Sequence, residues 1–421
     1  MMTFYIWQAR RGCALRPMAQ HFHVAALGAS KPKPPRDPHV PAYLYNSGAW
    51  ESTIRKYREG PRTQLGATPL LDRCPDTSRC PPLGQNRTVF KIEGGEINAA
   101  FGNLFYSVVV NGVLYATHKG HVPWISFELS WVYKTMGKEW QKDGPLWDRF
   151  FEPYCQNVSA WLHACSNVHL AKLKTKTFYY PHIQQRFKWP VRQWYNMNSL
   201  EHAWCQYEGW CGKFNATFYS RWRRDAHAVV SRAHRLRPSM ESAVEERWRE
   251  LNPSQRRPVL AMHMRGSDKA SNRLKTNASW YVPYISSFKQ THPDGLIVVA
   301  TEDAGFASMI NSKWRANWGR ELFALANIST RVRRKKPNFA GDFDKMVVAH
   351  DVLLDIQVMA RADYFLHTSS AVAEATIYTN PKLHCNSINL EMDHDAPHDA
   401  PWLPWQGRPR SGCDEKRAWV L

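Results

Sequence analysis

The sequence lacks any run of about eighteen or more apolar residues, the length a membrane-spanning helix needs. Its first 25 residues hold no continuous apolar stretch of the kind a signal peptide or anchor uses. No cysteine spacing is CxxC, and no cysteine pair stands at finger-like distance from a histidine pair, which argues against a structural zinc site. There is no internal repeat, so solenoids and propellers drop out. Acid is also scarce: 36 Asp plus Glu stand against 56 Lys plus Arg, a formal net charge of +20. That balance suits an anionic partner, whether nucleic acid, anionic lipid or a nucleotide diphosphate, or else a diffuse surface charge that aids solubility. The one tight basic run, Arg331, Arg333, Arg334, Lys335 and Lys336, ends at Pro337 in what reads as a loop, with no zinc-finger, basic-zipper or RNA-recognition signature beside it.

What is present is ordinary globular composition. Hydrophobic residues make up 43% and charged residues 22%, which excludes wholesale disorder and collagen-like or coiled-coil chains. With 421 residues, two domains are expected. Nine cysteines include the close pairs Cys74 with Cys80, Cys155 with Cys165 and Cys205 with Cys211, and a wider pair Cys385 with Cys413, leaving Cys13 over. Local disulfides in an oxidising lumen are expected, foremost Cys205–Cys211 and Cys155–Cys165; reduced buried thiols are the alternative. Five Asn-X-Ser/Thr sequons, at Asn86, Asn157, Asn215, Asn277 and Asn327, point the same way, to an expected secretory-pathway protein whose targeting segment is either missing from this sequence or misread upstream.

Residues 1–82 are rich in Pro, Arg and small polar residues and read as a largely irregular stem or linker. Residues 83–252 read as an α/β domain. It has a strand at TVFKI (88–92), a loop GGEINAAFGN (94–103), an apolar helix over 104–118 and a strand at VPWISFE (122–128). The Trp- and Tyr-dense stretch 131–224 suggests only short helices, and Pro238 opens the amphipathic helix MESAVEERWREL. Residues 253–395 alternate strand and helix: VLAMHM (259–264), a helix over 277–290, LIVVAT (296–301), a helix entered at Thr301 or Asp303, ELFALANI (321–328), a helix over 343–362, DYFLHT (363–368), a helix SSAVAEATIYTN (369–380) and CNSINLE (385–391). This order predicts a parallel, doubly wound sheet whose ligand sits beyond the carboxyl ends of its strands. Residues 396–421 form a tail.

The segment His263-Met264-Arg265-Gly266-Ser267-Asp268-Lys269 follows an apolar strand, where such a sheet places its binding loops. Gly266 lets the backbone turn close to a ligand. Arg265 offers a planar fork for two phosphate oxygens and Lys269 a mobile charge, a combination suited to a diphosphate; an ordinary loop with an Asp268 ion pair is the plainer account. The heptad resembles the HxR-x-(S/T)DK signature of GDP-fucose-dependent fucosyltransferases, the group that holds the α1,6 core enzymes and the protein O-fucosyltransferases. ATED (300–303) and LDIQVMARADYFLHTSSAVAEA (354–375) follow in the family's order, and Phe101-Gly102-Asn103 is similar to its glycine-asparagine loop on the cleft.

The resemblance implies an α/β, GT-B-like architecture: two Rossmann-like domains facing a cleft, with the donor GDP-fucose in the C-terminal one. It implies inverting transfer of fucose to a hydroxyl of a glycan or protein, without a metal or other cofactor, in the Golgi or endoplasmic reticulum lumen. Arg265 would neutralise the departing β-phosphate, helped by Lys269, and His263 would line the donor pocket. Asp303 would accept hydrogen bonds from the guanine edge. Thr368, Ser369 and Ser370, at a helix N-terminus, would bind phosphate. Gly102 and Asn103 would form the cleft loop, and Asp355 would be structural. The core enzymes carry a second Arg where this sequence has Gly266, and a Glu where it has Arg273. The acceptor base therefore falls to Glu96, in the facing domain; a solvated loop acid is the alternative. The acid pairs Asp342/Asp344 and Asp393/Asp395, the latter with His394 and His398, are competing metal sites, which helix capping and an exposed tail also explain. Two other functions stay in view: a non-catalytic glycan or nucleotide-sugar binder of the same fold, and a basic nucleic-acid-binding protein.

Overall fold

The computed structural model describes residues 74–92, 101–118, 120–127, 145–171, 216–254, 256–265, 277–326, 345–368, 370–390 and 403–407. The first sheet has β1 (Arg87–Ile92) at its centre, flanked by β2 (Val122–Ile125) and β3 (Val168–Leu170), all parallel. Between β1 and β2 the chain winds a π-helical turn, Asn103–Val108, into α1 (Val109–His118), and a short α2 (Val158–Ala164) precedes β3. Alternation along β1 decides which layer covers which face. Phe90 and Ile92 join the main core with α1, while Val89 meets Val122, Val158, Trp161 and Val168 in a smaller core on the opposite face.

That smaller core is covalently held. Disulfides join Cys74 to Cys155 and Cys80 to Cys165, with Cα separations of 5.5 and 5.4 Å. The bridges expected within the close pairs, Cys155–Cys165 and Cys74–Cys80, are thus replaced by crossed ones. Cys155 and Cys165 flank the seven-residue α2, about 10 Å long, which keeps them beyond the reach of a single bridge. Each instead meets one end of the segment 74–80, where Trp161 Nε1 also donates to Arg79 O (2.9 Å) and Asn167 Nδ2 to Pro81 O (2.9 Å). Cys385 is disulfide-bonded too, to a partner beyond the described residues, where Cys13, Cys205, Cys211 and Cys413 also lie.

Where the sequence suggests only short helices, α3 (Ala216–Ala233) runs eighteen residues. Its apolar stripe, Ala226, Val229, Val230 and Ala233, keeps the 3.6-residue period, but it is narrow and set among many charged residues, so the segment as a whole is polar. Next comes α4 (Pro238–Leu251), with Pro238 in its first turn as expected.

The second sheet contains β4 (Val259–Met264), β5 (Leu296–Thr301), β6 (Phe323–Leu325), β7 (Tyr364–His367) and β8 (Ser387–Asn389), parallel throughout in the order β6-β5-β4-β7-β8. The runs VLAMHM and LIVVAT are buried along their whole length, as a parallel sheet covered on both faces requires. Val259 and Ala261 enter the main core with α7 (Lys345–Met359) and α8 (Ala371–Thr379); Leu260, Met262 and Met264 enter a second core with α5 (Val282–Thr291). The helix after β5, α6 (Ala304–Met309), continues through a π-helical turn at Ile310–Trp314 and packs on the second face as well. The mixed α/β class and the doubly wound sheet expected from the sequence are present.

The main core is continuous between the two sheets. Polar contacts reinforce it: Gln357 Nε2 donates to Tyr106 Oη (3.0 Å), and Arg223 forms a two-point ion pair with Glu374 (2.6 and 3.1 Å) while reaching His384 Nδ1 at 2.9 Å. Just past α3, the buried His234 bonds Phe105 O through Nε2 (2.7 Å), stacks on Tyr106 (4.5 Å between centroids) and meets Trp147 and Phe151 edge-on. Burial pushes Tyr106 up to about 12 and His234 down to about 4. Among the described residues no helix is long and apolar enough to cross a membrane.

Two predictions follow from these constraints. With either bridge intact, the other closes only a ring of about sixteen residues, so removing one by Cys→Ser pairs should cost about 3 kcal/mol. Removing both also opens a span of about eighty residues and should cost roughly 7 to 8 kcal/mol in urea unfolding; equal, additive losses of 4 kcal/mol or so would contradict the crossed arrangement. For His234, the unfolded chain takes a proton near 6.5 and the folded one only near 4. The stability this imidazole contributes is therefore complete above pH 6.5 and is lost as pH falls through 4, by roughly 3 kcal/mol in all. His234→Gln should flatten the fall in urea midpoint across that window; an unchanged slope would assign the acid sensitivity elsewhere.

Candidate functional site

In chain order the larger sheet is wound outward from β4 in two directions, through β5 and β6 on one side and β7 and β8 on the other. The strand order reverses between β4 and β7. There the crossovers leave to opposite faces, and such a reversal is where open α/β sheets take ligands, beyond the carboxyl ends of their strands. Register brings those ends level: His263 pairs with His367 and with Ala300, and Met264 pairs with Thr301.

His263 is the one ionisable residue in β4, and its parity turns it to the face of α7 and α8. It is 5% exposed, with Nδ1 3.2 Å from Ser370 Oγ, and its main-chain oxygen accepts from Tyr281 Oη at 3.1 Å. Ser370 is the N-cap of α8, its Oγ accepting from Ala373 N at 3.0 Å. One hydroxyl thus closes the helix start and holds the imidazole on the opposite side of the strand reversal. Thr368, between β7 and this cap, is wholly buried, and its Oγ1 has no hydrogen-bond partner. Arg265 leaves β4 beside this cluster, half-buried and engaged in contacts of its own. Gly266, Asp268, Lys269 and Ser369 lie outside the described residues, as do Glu96 and the acid pairs Asp342/Asp344 and Asp393/Asp395.

Asp303 stands at the end of the neighbouring β5. Its Oδ1 accepts from Gly305 N (2.7 Å) and Phe306 N (3.2 Å), so one carboxylate oxygen is committed to capping α6. Gly102 arrives from the smaller sheet. A Cβ there would lie 2.8 Å from Val372 Cγ2 and 3.3 Å from Val372 N, which places the Phe101-Gly102 turn directly against the first turn of α8. Asn103 begins the π-helical turn that follows. Asp355 is half-buried on α7.

The structure therefore brings His263 together with Ser370, and Gly102 against Val372 of the same helix start, with Arg265 and Thr368 adjacent to these residues in sequence and Asp303 one strand away. Sequence reasoning missed Tyr281, which steadies the His263 carbonyl from eighteen residues downstream, and Arg223, whose pairing with Glu374 anchors α8 one turn below its cap. No local signal marks either: Tyr281 sits in an aromatic run and Arg223 among neighbouring arginines. Among the described residues no three His, Cys, Asp or Glu side chains cluster closely enough to hold a metal ion.

The Gly102 contact is testable through its sign. In an open helical turn Gly→Ala stabilises, by up to about 1 kcal/mol. Here the added methyl meets a stiff β-branched side chain and helix backbone, so Gly102→Ala should destabilise by roughly 1 to 3 kcal/mol and Gly102→Val by more, read from urea unfolding. A stabilised alanine variant would mean that the two segments do not touch.

No protein-family model matches the chain, and no curated protein does. Solved structures similar to it include fucosyltransferase NodZ from Bradyrhizobium, at 12% identity over 73% of this chain and 96% of that one, with a TM-score of 0.39. NodZ α1,6-fucosyltransferase co-crystallised with GDP matches at 12% identity over 71% and 93%, TM-score 0.37. A variant of FUT1 from Arabidopsis thaliana in complex with GDP matches at 12% identity over 79% and 77%, TM-score 0.38. At those TM-scores the likeness carries no argument about the chemistry of this chain.

Proposed function

We propose that this chain is an inverting glycosyltransferase that moves fucose from GDP-fucose to a hydroxyl of a glycan or protein, its two parallel sheets forming the halves of a GT-B arrangement. The observation that carries this reading is the contact of His263 with Ser370 across the strand reversal, beside Arg265 and at the N-terminus of α8. A diphosphate laid there would meet the main-chain N–H groups of a helix start and a guanidinium, the two features that suit its charge. The acceptor oxygen attacks the anomeric carbon from the face opposite the diphosphate. As the carbon–oxygen bond to the β-phosphate breaks, Arg265 and Lys269 stabilise the departing charge and a carboxylate, Glu96 in this proposal, takes the acceptor proton. Asp303 would receive the guanine edge through the oxygen not used in its cap. The crossed disulfides support an oxidising compartment, and we place the protein in the lumen of the Golgi or endoplasmic reticulum.

A second reading, a binding protein of the same fold without turnover, is favoured by Gly266 and Arg273 standing where the core enzymes carry Arg and Glu. Release of free fucose from a panel of nucleotide sugars separates the two, since a binder would retain GDP affinity and release none.

Arg265→Lys should lose nearly as much turnover as Arg265→Ala, because an ammonium cannot reproduce a two-point contact with phosphate oxygens. The loss should be roughly 3 to 4 kcal/mol in the transition state, or about two to three orders of magnitude in kcat. A lysine variant at near-normal rate would reduce Arg265 to a general positive charge. Turnover should also survive EDTA, since a guanidinium and a helix end supply the counter-charge; activity abolished by chelation and restored by Mn²⁺ would overturn that part of the mechanism.

A further inference from the structure

Three of the five sequon asparagines fall among the described residues, and their surroundings differ. Asn157 is exposed, and it adopts the left-handed region (φ 52°), which asparagine tolerates better than most residues. It occupies the N-cap of α2, yet its side chain makes no capping bond, leaving the amide directed to solvent. The sequon hydroxyl, Ser159, is exposed as well. Asn86 is exposed immediately before β1, at the amino end of the smaller sheet, in the loop that Asn167 Nδ2 fixes by bonding Gln85 O at 3.1 Å. Asn277 is different. Its Oδ1 accepts from Ser279 N at 3.0 Å, and it lies four residues before Tyr281, whose hydroxyl bonds the His263 carbonyl at the candidate site.

Position on the fold separates them further. Val158 and Trp161 turn α2 onto the Val89 and Val122 face of the smaller sheet, while Phe90 and Ile92 face the core shared with the larger one. Among the described residues, the layer carrying Asn157 lies with segment 74–80 on the side of the smaller sheet remote from α8 and the strand reversal. A branched, hydrated oligosaccharide attached there extends into water and covers neither the core nor the site.

We propose that Asn86 and Asn157 carry N-linked oligosaccharides. In the transfer, the Asn Nδ2 attacks the anomeric carbon of an oligosaccharide linked to a lipid pyrophosphate. The C–N bond forms as the C–O bond to phosphate breaks; the lipid pyrophosphate leaves with the electron pair, and an amide proton passes to a base of the transferring enzyme. The proposal rests on the lumenal reading above, because both the lipid-linked donor and the two bridges belong to that compartment.

The test uses the full chain expressed in a eukaryotic cell behind an added secretory leader. Enzymatic release of N-glycans in ¹⁸O water converts each occupied Asn to labelled Asp, and peptide mapping locates the label while the same digest reports the bridges. Label is expected at Asn86 and Asn157. Ser159→Ala, which keeps Asn157 and its backbone conformation, should abolish the second label and remove one step of gel mobility. An unlabelled Asn86 or Asn157 in a chain with Cys74–Cys155 and Cys80–Cys165 formed overturns that assignment and leaves the lumenal reading standing. Free thiols at all four cysteines together with no label overturn both.

Discussion

The arrangement depends on one constraint, a buried strand that must end in a polar residue at the place where strand order reverses. Five of the six residues of β4 are apolar and both of its faces are covered, so its path through the sheet is fixed. The sixth kind of residue, His263, lies one position before the end, where desolvation of an imidazole is tolerable only with a hydrogen-bond partner. Ser370 supplies it from across the gap, and because the same oxygen caps α8, the imidazole and the helix start are held as a unit. Arg265, two residues on, is the first residue past the strand, so its main chain starts from a fixed point.

Around this pair, α8 is the element that both sheets share. Gly102, in the helical turn after β1, touches its first turn, Glu374 in the same turn receives Arg223 from α3, and Tyr378 O accepts from His227 Nδ1 at 2.7 Å near its end. The ion pair is almost dry, with side chains 8% and 13% exposed, so its net contribution to stability is small beside the penalty for breaking it. Loss of either partner would strand a charge next to the helix that carries Ser370.

The larger sheet was legible because parallel strands covered on both faces are written as short apolar runs, and VLAMHM, LIVVAT and DYFLHT are such runs separated by helical lengths. His263, Arg265 and Ser370 were singled out through the family resemblance, and the topology accounts for why the ends of those runs reach one edge. The smaller sheet was less legible. Its β3 has three residues, two of them exposed, and the long α3 is polar overall, with only a narrow apolar stripe to mark it. The crossed bridges were hidden for a different reason: proximity in sequence favours pairing only when the intervening chain can turn back, and α2 holds Cys155 and Cys165 apart. Asp303 shows a third limit, since a carboxylate at a strand-to-helix junction satisfies a helix cap and a ligand contact with the same sequence signature.

The excess of basic residues says less about function than their placement. Arg247 is spent on the carbonyls of Leu325 and Ala326 at the end of β6, Arg237 on the carbonyl of Asp148, Arg315 on that of Phe323, and Arg361 on Glu245. The first three satisfy main-chain carbonyls and the fourth a carboxylate, structural uses of the guanidinium fork. Exposed pairs of this kind contribute little individually and are weakened further by salt. What sets Arg265 apart is therefore not its charge, which many residues of this chain share, but its place one residue past the carboxyl end of a buried strand, next to the strand that leads into the N-terminus of α8. In the proposed glycosyltransferase reading, that placement would let a guanidinium and a helix start act on one diphosphate, as scattered surface charge would not.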